Sequence, residues 1–96
     1  MSGDDFANKV ERFFVQIIEE RAESNRFKKG EFAAQLWPEM SPKAAASRWT
    51  SIRTKASNTG KPQSVSIADA QRMAEVTGKE LSYLLAIAAE RASGRK

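Results

Sequence analysis

Residues 41–56 read Ser-Pro-Lys-Ala-Ala-Ala-Ser-Arg-Trp-Thr-Ser-Ile-Arg-Thr-Lys-Ala. At helical spacing Ala45, Trp49, Ile52 and Ala56 share one stripe, and Lys43, Ser47, Thr50, Ser51 and Thr54 fall on the other side. That outer side is short, polar and free of carboxylates. An ordinary surface helix mixes in Glu and Asp. A helix that lies in a DNA groove must avoid them, because they repel phosphate, and it needs small hydrogen-bonding side chains that reach base edges. The chemistry on offer is recognition.

The charge distribution points the same way. Residues 1–25 hold three Lys/Arg against six Asp/Glu, residues 26–62 hold eight against two, and residues 63–96 hold five against four. The middle third carries the basic surplus of a chain whose net charge is +4. A localised basic patch is the electrostatic footprint of a nucleic-acid site, though basic residues also serve solubility. The chain has no Cys and no His, which excludes disulfides, thiolate catalysis, imidazole bases and Cys/His zinc sites. Acid–base and nucleophilic groups are missing or unclustered, so no enzyme is expected. Glu19, Glu20 and Glu23 cluster at the end of the first helix and read as a solvated acidic face rather than a metal site. No cofactor or small-molecule ligand is expected. No apolar run is long enough to span a bilayer, and the acidic start is unlike a secretory signal, so a cytoplasmic protein is the default.

Ninety-six residues allow one domain with one modest core. Five helices and no strand are expected. The first runs from about 5 to 22, with Phe6, Val10, Phe13, Phe14, Ile17 and Ile18 on a broad apolar face and Asn25 as its stop. Phe27 is expected to tuck under the domain. The second, about 29–37, turns Phe32, Ala33 and Leu36 inward and ends at Pro38. Ser41 caps the third and Pro42 suits its first position. Residues 57–65 are rich in turn formers and read as a loop. Ser66 caps the fourth helix, with Asp69 in the manner of a capping box. Its inner residues are Ile67, Ala70, Met73, Ala74 and Val76, and Gly78 is its stop. The fifth, about 80–92, buries Leu81, Leu84, Leu85 and Ala88. Residues 93–96 are expected to fray.

Two short helices joined by a connector, the second polar on its outer face, make a helix-turn-helix over about 29–56. The longer pattern is more specific. Phe32-Ala-Ala-Gln-Leu, Ser41-Pro42, Ser47-Arg48-Trp49, Ser66-Ile67, Met73-Ala74-Glu-Val-Thr-Gly78 and Leu81-Ser-Tyr-Leu-Leu85 follow in order. Over about residues 10–89 this resembles the lambda-repressor-like family of phage repressors and Cro proteins. Such domains carry Ser-Arg-Trp near the middle of the recognition helix and an ending like the stretch from Met73 to Leu85. This chain departs in its longer segment around Trp37, Pro38 and Pro42. It also has Lys28, Lys29 and Gly30 where a Gln often starts helix two, and its link after the third helix is long.

The resemblance implies an all-α, compact five-helix domain whose third helix enters the major groove by its first turns. Lys43, Ala44, Ser47, Arg48 and Ser51 then become candidates to face bases. Arg48 lies toward the flank and reads equally as a partner of Glu31 or of a phosphate. Thr50, Thr54 and Lys55 come later and suit phosphates, as do Lys28, Lys29, Asn58 and Lys61 in the flanking connectors. Trp49 reads as core. Trp37 reads as a staple over the core or as a partly exposed anchor. Tyr83 and Ile87, four apart on the fifth helix, form either a twofold dimer patch or a core edge beside a lone surface residue.

The expected function is that of a sequence-specific regulator of phage repressor or Cro type. It would bind operator DNA as a homodimer, with no effector domain. Two other readings are an antitoxin or anti-repressor that grips a partner protein, and a sequence-tolerant DNA-binding protein in phage packaging or recombination.

Overall fold

The computed structural model describes residues 3–28, 30–54 and 62–94, with Gly3 and Asp4 described by backbone alone. It is all-α. Five helices follow in order: α1 (Gly3–Ser24), α2 (Glu31–Leu36), α3 (Pro42–Arg53), α4 (Ile67–Thr77) and α5 (Leu81–Ala92). No strand occurs among the described residues. The long α1 lies along α5 and also meets α4 and α3, while α2 packs between α3 and α4. No helix is long and apolar enough to cross a membrane.

The helix ends follow from local chemistry. Ser41 Oγ accepts the Ala44 amide at 3.2 Å, and Pro42 opens α3 where its missing N–H costs nothing. Ser66 Oγ accepts the Asp69 amide at 3.1 Å. The Asp69 carboxylate does not complete the expected capping box; it turns toward Trp37 and Arg48 instead. α4 ends at Gly78, whose φ of 76° is the left-handed conformation of a Schellman motif; Gly78 N–H bonds to Glu75 O and Lys79 N–H to Ala74 O. The same motif ends α1 at the expected stop: Asn25 follows the last helical residue, and Arg26 (φ 59°) takes the left-handed conformation. Arg26 N–H bonds to Glu23 O and Phe27 N–H to Ala22 O. That turn swings Phe27 onto the core, where its ring meets Phe32 at 5.3 Å.

One core joins all five helices. The five largest fully buried side chains are Ile18, Leu36, Ile52, Met73 and Leu84, one from each helix. Phe14, Val15, Ile17, Phe32, Trp37 and Trp49 surround them. Three expected core residues are not in it. Phe6 is half exposed, Leu85 is exposed, and Ile67 is 78% exposed. The reason is geometric. Leu85 and Ile67, with Val10, Phe14 and Leu81, line an open apolar groove between α1, α4 and α5 that no element covers among the described residues. Val10, Phe13, Val76 and Leu81 are half-buried at the core edge.

Candidate nucleic-acid interface

α3 is fixed to the body by Ala45, Trp49 and Ile52, all buried. The Phe32 ring meets Trp49 edge-on at 5.2 Å, which locks α2 against α3. With that stripe inward, Lys43, Ser47, Thr50 and Thr54 stand exposed in one row, and Ala44 and Ser51 are half-buried beside them. The two threonine hydroxyls donate into the helix, Thr50 to Ala46 O at 3.0 Å and Thr54 to Thr50 O at 2.8 Å. Thr50 Oγ1 also accepts from Arg53 Nη2 at 3.3 Å, whereas Thr54 Oγ1 accepts from no described residue. Ser47 and Lys43 make no side-chain bond to other described residues.

The far end of α3 is tied down by α1. Arg12 Nη1 donates to Ile52 O, and Nη2 reaches Gln63 O at 3.3 Å. Glu11 accepts the Val65 amide at 3.1 Å, and Gln63 N–H bonds to Ser51 O at 2.9 Å. Residues 63–65 are thereby laced to α1 and to the last turn of α3. A cation over the last carbonyls also complements the helix dipole.

Two arginines flank the outer face, and both are committed to the protein. Arg48, a candidate for facing bases with Glu31 or a phosphate as alternatives, pairs within the protein with Asp69 and not with Glu31. Its Nη2 lies 2.7 Å from Asp69 Oδ2, and its guanidinium sits over the Trp37 ring, 4.9 Å from the centroid. Glu31 instead accepts the Lys28 amide at 2.8 Å. On the other flank Arg53 lies over the Trp49 ring at 5.4 Å, with Glu19 at 3.7 Å and Thr50 Oγ1 at 3.3 Å. A guanidinium pairs flat with an indole face and a carboxylate edge at once, which a lysine cannot do. Glu19 and Glu20 are therefore ion-pair partners, Glu20 with Arg91 at 3.1 Å, rather than members of a purely solvated face.

Trp37 is the staple, not an anchor: it is 3% exposed and its Nε1 donates to Asp69 Oδ1 at 3.0 Å. Burial works against the charged form of Asp69. The bonds from Trp37 and Arg48, and the charge of Arg48, outweigh it and hold the carboxyl below its ordinary pKa. Sequence reasoning assigned Asp69 only to a cap. Nothing local links positions 37, 48 and 69, which meet across three elements.

Among the phosphate candidates, Lys28 is exposed and, like Lys43, has no ion pair among the described residues. Lys29, Lys55, Asn58 and Lys61 lie outside the described residues, as do Ala56 and most of the expected loop. Tyr83 is half exposed and Ile87 half-buried, both on the flank of α5 away from Leu85. No group of three or more acidic, Cys or His side chains is gathered for a metal ion among the described residues.

Comparison of the chain with protein-family models, curated proteins and solved structures returns no match.

Proposed function

We propose that this protein binds double-stranded DNA through the outer face of α3 and regulates transcription in the manner of a small phage-type repressor. The observation that carries this reading is the exposed row Lys43, Ser47, Thr50 and Thr54 on a helix without a single carboxylate. Such a face meets no repulsion from phosphate and offers hydroxyls and a cation to base edges. α2 and α3 act as a helix-turn-helix, and Lys28 adds charge beside them. The protein is a binder and not a catalyst.

One copy of α3 touches too few base pairs for a dedicated operator. We propose a homodimer on DNA, with half-sites about one helical turn apart and Tyr83 and Ile87 as its contact. Selection from random duplex DNA at two salt concentrations tests the proposal. An enriched motif with twofold symmetry supports it. Binding without enrichment favours the sequence-tolerant reading, and no binding leaves a protein partner as the better reading. The uncovered groove at Leu85 and Ile67 is the observation that favours that last case.

A further inference from the structure

We infer that Asp69 and Trp37 are positioning residues that hold α3 at its working angle through Arg48, and that Arg48 itself makes no contact to nucleic acid. The inference rests on the reading of α3 as the DNA-facing helix.

The buried Trp49 and Ile52 and the bonds from Arg12 and Gln63 hold the C-terminal half of α3. Its N-terminal half has only the small side chains of Ala44, Ala45 and Ala46 to turn toward the body. That half needs a directional contact of its own to set its rotation, and the Asp69 carboxylate supplies one through Arg48. One oxygen accepts from Trp37 on the connector after α2, and the other accepts from Arg48 on α3. The carboxylate belongs to the first turn of α4, whose cap Ser66 holds the Asp69 amide. Three elements thus meet at a side chain that is 6% exposed. Rotation of α3 toward or away from its outer face lengthens a 2.7 Å charged bond and lifts the guanidinium off the indole. Swinging Arg48 out to a phosphate would strand a buried carboxylate without its cation, a costly exchange. Among the described residues, the same engagement takes Arg48 out of the cations the basic middle of the chain offers.

The test measures binding of a wild-type-selected duplex and of a scrambled duplex across a salt series, for D69N, R48M, R48K and the double variant D69N/R48M. D69N and R48M are each expected to lower the selected-to-scrambled ratio roughly tenfold, about the loss of one base contact. R48M should leave the salt slope of binding unchanged, and R48K should recover part of the ratio. The double variant should do no worse than the worse single variant, since both remove one interaction. A salt slope flattened by about 0.9 in R48M marks a lost phosphate contact and overturns the inference. So do single-variant losses that add in the double. A DNA-free arm follows amide hydrogen exchange: D69N should speed exchange in α3 while α1 and α5 stay protected, and unchanged α3 exchange overturns the inference. A wild-type protein that enriches no duplex defeats the proposed function alone, because the exchange arm still decides whether Asp69 holds α3.

Discussion

Arg48 and Arg53 have the same chemistry and the same kind of seat, an indole face beneath and a carboxylate at the edge. What separates them from Lys43 and Ser47 is which way the helix turns them, and that divides α3 into side chains that hold and side chains that are offered. Substituting an offered residue should change preference. Ser47→Ala or Lys43→Ala is expected to reduce discrimination among duplexes by roughly 1–3 kcal/mol at the affected base pair. Lys28→Ala is expected to weaken all duplexes about equally and to lower the salt slope by about one. Competition binding against selected and scrambled duplexes reads both outcomes. Asp69 adds a pH dependence. Its pKa is lowered in the folded state, so its contribution to stability is complete above the unfolded value near 3.9 and is lost as pH falls through the folded value. Melting temperatures of the wild type and D69N should differ at neutral pH and converge as the pH drops below about 4. Curves that stay parallel down to acid would show that the carboxylate gains nothing from its partners.

The helices depend on their ends and neighbours to different degrees. α2 has six residues, too few to persist alone, and is held by Phe32, Ala33 and Leu36 in the core and by Arg72 on the Leu36 carbonyl at 3.1 Å. α3 starts on a strong cap, and Ser41→Ala should destabilise the fold by about 1 kcal/mol in urea titration. α1 ends on an arginine in a conformation that suits glycine. Arg26→Gly is therefore expected to stabilise the protein by about 0.5–1 kcal/mol, the relief of left-handed strain less the added flexibility of the unfolded chain. A fall in stability would show that the Arg26 side chain contributes more than its backbone costs. The helix stops were visible from composition at Pro38 and Gly78, because these residues act on their own backbone. Asn25 also falls directly after the last helical residue of α1, but the left-handed turn there is taken by Arg26, which places the Phe27 ring on the core.

At the scale of the molecule, stability lies in one core fed by every helix. Leu84→Ala should cost about 2–5 kcal/mol and lower the melting temperature without a change in the salt slope of DNA binding, since its site is remote from the face of α3. Burial at Phe14, Ile18, Leu36, Trp49, Ile52, Met73 and Leu84 was legible in the sequence, because apolar side chains at helical spacing have one inward direction. Ile67 and Leu85 carry the same signal and are exposed, because burial also needs a neighbouring element to close over them, and none among the described residues does. The sequence alone determined the number of helices, most of their ends, and the polar row of α3, since each follows from residues within a turn or two. Only the tertiary structure decided that Arg48 belongs to Asp69 and Trp37. Those partners lie 21 and 11 positions away along the chain, and a charged side chain goes to the best partner that folding brings within reach.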